Sequence, residues 1–154
     1  MPLFRRGYDP QPTSPAAVLL ASSGSPFSAA AVRRARELAA GDTVAVLSIL
    51  KIYGSTFGLP NPGLMPTRRE REEQLKVVRR AIGELERRGC DVDGQIAATR
   101  SAGRTIARVA RTRQVRYVVM DVSPAAGIRR IIEGELTNIV RRRLKDGITL
   151  ELVG

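Results

Sequence analysis

Residues 43–50 read Thr-Val-Ala-Val-Leu-Ser-Ile-Leu, an apolar run with almost no polar interruption. A strand with one wet face alternates polar and apolar residues; a run this continuous suits a parallel sheet covered on both faces. Four further segments read as strands: 17–21, 92–99, 117–120 and 148–153. Helical stretches separate them, so the order is β-α-β-α-β-α-β-α-β. That alternation specifies one α/β domain, a doubly wound, mainly parallel five-stranded sheet with helices on both faces, joined by right-handed crossovers. No internal repeat or second domain is visible. Residues 1–15 are expected to form an N-terminal arm, and 16–154 the domain.

The helices carry their own punctuation. Ser22-Ser23-Gly24-Ser25-Pro26 reads as a turn into the first helix, with Ser25 the expected N-cap and Pro26 at the first helical position. Val32, Ala35, Leu38 and Ala39 form its apolar face, and Gly41 is its expected stop. Residues 51–66, rich in Gly and Pro, read as a long loop. Thr67-Arg-Arg-Glu70 is a capping box, followed by the stripe Leu75, Val78, Ile82, Leu85 and a stop at Gly89. Ser101 is the expected cap of a third helix, whose face is Ile106, Val109 and Ala110. A fourth runs from about 128 to 145.

Composition narrows the function. A chain of 154 residues suits a single core. With 4% aromatics and no Trp, that core must be aliphatic. No apolar run approaches the ~18 residues of a membrane span. The arm holds Phe4-Arg5-Arg6-Gly7-Tyr8, an aromatic and basic cluster, but no apolar segment follows, so it does not read as a secretory signal. Cys90 is the only cysteine and cannot make an internal disulfide, in keeping with a reducing compartment. A cytoplasmic address is the expectation. The chain has no His, which removes Ser-His and Cys-His nucleophile systems and most zinc sites. The expectation is a protein that is not an enzyme.

Charge points outward. There are 26 basic and 15 acidic residues, a net +11, and only Lys51, Lys76 and Lys145 among the basic residues are not Arg. A biased base composition would explain Arg in place of Lys, but not the surplus itself. The surplus favours an anionic partner: RNA or DNA, an acidic protein or an anionic membrane surface. Arg104, Arg108 and Arg111 recur at i, i+4, i+7 on the third helix and are the candidate partner-binding residues, with an ordinary solvated face as the alternative. Arg141, Arg142 and Arg143 crowd the end of the fourth helix, where cations suit the dipole.

Three segments carry a resemblance. They are Val18-Leu-Leu-Ala-Ser-Ser-Gly-Ser25 before an Ala-rich helix, Tyr117-Val-Val-Met-Asp121, and Gly127-Ile-Arg-Arg-Ile-Ile-Glu-Gly134-Glu-Leu-Thr137 before the last strand. In this order the chain resembles the universal stress proteins. The resemblance implies an ATP site built on Gly, two residues, Gly, nine residues, Gly, then Ser or Thr. Glycines let backbone N–H groups reach phosphates, and the hydroxyl adds a donor at a helix start. On this chain those positions fall on Asp121, Pro124, Gly134 and Glu135, so only Gly134 matches. Pro124 has no N–H to give. A carboxylate ~4 Å from a phosphate is repelled by about 4 kcal/mol even at an effective dielectric of 20. The acidic residue often found after the family's first strand is Ser23 here. No cofactor is therefore expected, with ATP or another adenine nucleotide the alternative. Mg²⁺ at Asp121 or Glu135, or neutralisation by Arg129 or Arg130, would ease the repulsion. The plainer role for Asp121 and Glu135 is to pair with arginines and cap a helix.

The last strand, 148–153, is also the expected joint of a homodimer. An uncovered edge offers N–H and C=O groups to a second copy, and the resemblance implies the same contact. Glu151 is the one gatekeeper charge on it.

Overall fold

Val18 to Ser22 is buried at every position and occupies the centre of the sheet. The computed structural model describes residues 12–52, 55–56, 59–60, 66–121, 128–145 and 147–153. In chain order its elements are β1 (Val18–Ser22), α1 (Ala29–Ala39), β2 (Val44–Lys51), the two-residue strands β3 (Ser55–Thr56) and β4 (Leu59–Pro60), α2 (Arg68–Arg87), β5 (Val92–Thr99), α3 (Ala102–Thr112), β6 (Tyr117–Asp121), α4 (Ile128–Arg143) and β7 (Thr149–Val153).

Five strands form one sheet in the order β5-β2-β1-β6-β7, every neighbouring pair parallel. The two faces of β1 explain its unbroken apolar run. Val18 and Leu20 enter one core with Val32, Ala35, Val78 and Leu85 from α1 and α2. Leu19 and Ala21 enter the other with Ile106, Ala110, Leu136 and Val140 from α3 and α4. Successive residues point to opposite faces of a strand, so a strand covered on both sides has no solvent positions to fill.

The capping box forms as the sequence indicates. Thr67 Oγ1 accepts from the Glu70 N–H at 3.1 Å, and Glu70 accepts from the Thr67 N–H at 2.8 Å. Gly41 and Gly89 take left-handed conformations just beyond α1 and α2. Two expected caps are corrected. The N-cap of α1 is Ser28, which accepts from the Ala31 N–H at 3.1 Å, not Ser25. The Ser25 carbonyl is already taken by the Ser22 hydroxyl at 2.6 Å, and Phe27 packs against the core before the helix begins. Ser101 occupies the N-cap position of α3 but makes no capping bond. Its own N–H is donated to Thr99 Oγ1 at 3.0 Å, which also receives the Thr105 hydroxyl at 3.0 Å. Within 51–66, read as a long loop, β3 and β4 pair as a small antiparallel ribbon.

At the amino ends of the strands, residues 12–16 are fastened to the domain. Pro12 is buried, and the Ala16 N–H donates to the Arg113 carbonyl at 2.9 Å. Arg113 is 1% exposed. Its two terminal nitrogens donate to both carboxylate oxygens of Asp93 at 2.8 and 2.6 Å, and its Nε donates to the Ser14 carbonyl. The rest of the expected arm, 1–11 with its Phe4–Tyr8 cluster, lies outside the described residues. Among the described residues no buried side-chain nitrogen or oxygen lacks a hydrogen-bond partner, and no helix is long and apolar enough to cross a membrane.

Candidate functional site

Strands β1 and β6 are neighbours, yet the chain leaving β1 enters α1 on one face and the chain leaving β6 leads to α4 on the other. That divergence opens a crevice at the carboxyl ends of the strands, where open α/β sheets bind ligands. The pairing of Ala21 with Met120 puts Ser22 and Asp121 at the same level on its two lips.

The lip after β1 is held firmly. Gly24 has φ 108°, and a Cβ there would lie 3.3 Å from the Ile49 carbonyl oxygen and 3.5 Å from Gln74 Nε2. A side chain would be strained by the backbone conformation and crowded as well. Gln74 of α2 is the tie. Its Nε2 donates to the Gly24 carbonyl at 2.9 Å, while its Oε1 accepts from the fully buried Ser48 hydroxyl at 2.6 Å. One amide therefore locks the turn after β1, the top of β2 and the face of α2 together. The sequence reading passed over Gln74. The signal was its position one turn before Val78, on the buried stripe of α2.

The expected nucleotide positions are only partly assembled. Ser23 is half-buried on the β1 lip, and Asp121 is half-buried at the end of β6 with a partner of its own within the chain. Pro124 lies outside the described residues. Gly134 and Glu135 lie in the second turn of α4, which starts at Ile128. Only the first four N–H groups of a helix are left over for a ligand, so the amides of 134 and 135 are spent inside α4. Glu135 likewise does not cap a helix start. Among the described residues no group of three or more Cys, Asp or Glu stands ready to hold a metal ion.

Arg104, Arg108 and Arg111 lie elsewhere, on the α3 face turned away from the sheet. All three are exposed, and none pairs with a carboxylate among the described residues. The buried side of α3 carries Ile106, Ala107, Val109 and Ala110, so apolar packing fixes which way the arginines point. A separate cavity of about 380 Å³ opens between α1 and α2 beside Phe27, Val32, Val77 and Arg80; it contains none of the expected site residues. Cys90 is half-buried. Burial pushes its thiol pKa up, opposed in part by Arg36 and Arg88.

The sequence model of the Universal stress protein family matches residues 16–145. Three solved structures share the fold. One is a protein from the universal stress protein family of Burkholderia pseudomallei, 18% identical, with a TM-score of 0.63 over 89% of this chain and 95% of that one. Another is a universal stress protein in complex with cAMP, 17% identical, with a TM-score of 0.59 over 92% and 98% of the two chains. The third is universal stress protein UspA from Lactobacillus plantarum, 12% identical, with a TM-score of 0.51 over 92% and 99%. No curated protein sequence matches the chain.

Proposed function

Because the chain belongs to the universal stress protein family, we propose that it is a non-enzymatic regulatory or interaction module whose basic surface engages an anionic partner. One observation carries this reading. The exposed positions of α3 are Arg104, Arg108, Arg111 and Thr112, with no acidic side chain between them. Exposed arginines without carboxylate partners repel one another, and an anion relieves that repulsion. A reducing, cytoplasmic site of action suits the single Cys90, which has no second cysteine in the chain to pair with. The test is retention of the purified chain on a polyanion across ionic strengths, which must fall steeply with salt. Retention that ignores salt would overturn the proposal.

A second reading is an adenine-nucleotide sensor that uses the crevice. It is supported by the neighbour solved with cAMP and by the firm lip that Gln74 makes around Gly24. A cyclic monophosphate carries one phosphate charge, so it meets less repulsion from Asp121 than a triphosphate would. Calorimetry with cAMP and with MgATP separates the two readings. The sensor reading requires saturable binding of one of them, lost on Gly24→Val.

The chain is further proposed to pair with its own copy along β7. That strand lies at one end of the sheet. The Thr149 N–H donates inward to the Arg116 carbonyl at 2.8 Å, so the alternate N–H groups of Leu150 and Leu152 face outward. Glu151 does not guard this edge as a bare charge. Arg34 of α1 donates to it at 3.3 Å.

A further inference from the structure

The basic residues are segregated by sheet face. On the α1–α2 face the cations are interspersed with glutamates, and three of them pair: Arg34 with Glu37 at 3.3 Å, Arg68 with Glu72 at 3.4 Å, Lys76 with Glu73 at 3.7 Å. On the α3–α4 face the pattern changes. Neither 100–116 nor 136–145 contains an acidic residue. The exposed residues of these two stretches are eight arginines, Lys145 and four neutral polar side chains. None is apolar. Arg116 pairs with Asp42 at the amino end of the sheet, 3.3 Å away; the remaining cations of the set have no carboxylate partner among the described residues.

The two helices are held side by side. Gly103 of α3 sits so close to α4 that a Cβ on it would lie 2.5 Å from Ile139 Cγ2. Both bury their apolar sides in the same core, Ile106 and Ala110 beside Leu136 and Val140, so both solvent sides face away from the same side of the sheet. Arg104 to Arg111 spans about 10.5 Å along α3 at 1.5 Å per residue. Packed helices lie about 8–10 Å apart, which sets the arginine stripe of α3 beside the cluster Arg141–Arg143 at the end of α4.

The chemistry of this face selects among anionic partners. A protein interface takes its energy from buried aromatic and apolar anchors, and none is exposed among the described residues of 100–116 and 136–145. Insertion at a membrane surface needs an apolar face beside the cations, also absent among those described residues. Single-stranded nucleic acid is held by aromatic stacking platforms, and the face has no aromatic side chain. What remains is counterion release from a dense row of phosphates, which needs only cations. Arginine supplies these in the forked form that pairs bidentately with phosphate. A stripe and a cluster on helices about 8–10 Å apart suit phosphates on either side of the ~12 Å major groove of B-DNA, whereas the major groove of A-form RNA is deep and narrow. Resting on the reading that the basic surface takes an anionic partner, we infer that the α3–α4 face docks on the phosphate backbone of double-stranded DNA without reading its sequence.

Fluorescence anisotropy with a fluorescein-labelled 30-base-pair DNA duplex tests this, using the full chain, a salt titration and two charge-matched variants. One is Arg104→Glu, Arg108→Glu, Arg111→Glu; the other is Arg69→Glu, Arg79→Glu, Arg80→Glu on α2. All six positions are exposed, and circular dichroism checks that both variants fold. Milder Arg→Gln versions replace any that do not. The α3 variant is expected to bind at least tenfold more weakly and to flatten the slope of log K against log salt by about 3, near 0.9 for each phosphate no longer neutralised. The α2 variant is expected to lose less than threefold. Equal losses in the two variants would overturn the assignment to this face. A duplex RNA of the same sequence bound as tightly as the DNA, or phosphatidylserine vesicles or poly-glutamate bound in preference to it, would overturn DNA as the occupant while leaving the anionic-partner reading standing. No binding to any of the four would overturn both.

Discussion

Arg113 and Asp93 are joined by two parallel hydrogen bonds of 2.8 and 2.6 Å at the amino end of the sheet, with Arg113 shielded from solvent. Asp93 belongs to the edge strand β5, Arg113 follows α3, and the same guanidinium holds the Ser14 carbonyl. Three separate stretches of chain therefore meet on one side chain. Removing one member of a buried pair leaves the other uncompensated, at a cost of about 3–5 kcal/mol. Asp93→Ala is expected to lose that much in urea unfolding. Replacing both residues, Asp93→Ala with Arg113→Met, should recover part of the loss, because no lone charge then stays buried.

Gln74 makes a smaller prediction at the crevice. Gln74→Ala leaves the buried Ser48 hydroxyl without its acceptor, which costs about 1–3 kcal/mol. The Gly24 carbonyl is released at the same time. Chemical denaturation should show the loss in stability, and amide hydrogen exchange should show faster exchange confined to residues 22–26. Unchanged exchange there would mean that Gln74 does not hold the turn.

The α3–α4 contact is sensitive at Gly103. A methyl group gains up to about 1 kcal/mol of helix propensity over glycine, yet it would collide with Ile139. Overpacking costs about 1–3 kcal/mol. Gly103→Ala is therefore expected to lower Tm, and adding Ile139→Ala should relieve the clash. A rise in Tm for the single variant would show that the helices can move apart freely.

Dimerisation can be tested without dismantling the sheet. Leu150→Pro removes an outward N–H of β7 and leaves the inward bond of Thr149 to β6 in place. Light scattering at micromolar concentration should give a dimeric mass for the wild type and a monomeric one for Leu150→Pro. A monomeric wild type, or a dimer that survives the substitution, would remove β7 as the joint.

The thiol of Cys90 is pushed above its ordinary pKa, chiefly by burial, so its thiolate is scarcer than that of a free cysteine at any pH below that value. Alkylation by iodoacetamide at pH 8 should accordingly be slower in the folded chain than after unfolding in urea. Equal rates would contradict this.

The sheet was legible because its signals are collective. Continuous apolar runs, helical stripes and the Thr67–Glu70 box all agree, and the strand bounds fall within a residue of those read from the run of side chains. Single polar contacts were not legible in the same way. Arg113 is one arginine among many, and nothing local separates it from its exposed neighbour Arg111; only the folded position of Asp93, twenty residues earlier, does so. Ser25 and Ser28 are equally good caps in isolation. Phe27 decides between them, since burying it keeps the chain extended until Ser28. At the crevice, the resemblance laid the family's motif on Asp121, Pro124, Gly134 and Glu135, of which only Gly134 matched, and α4, starting at Ile128 as the sequence indicates, takes the last two into its second turn. The α3 stripe was visible from its i, i+4, i+7 spacing, whereas its continuation onto α4 required the close approach of Gly103 to Ile139.

The proposed anionic partner is taken by the arginine face of α3 and not by the crevice. The most direct measurement is the affinity of wild type and of Arg104→Glu, Arg108→Glu, Arg111→Glu for a fluorescent heparin oligosaccharide, each titrated from low to high salt. Binding by the wild type is expected to weaken steeply with salt, and the variant is expected to bind at least tenfold more weakly with a shallower salt dependence. Equal affinity and equal salt dependence in the two proteins would contradict it.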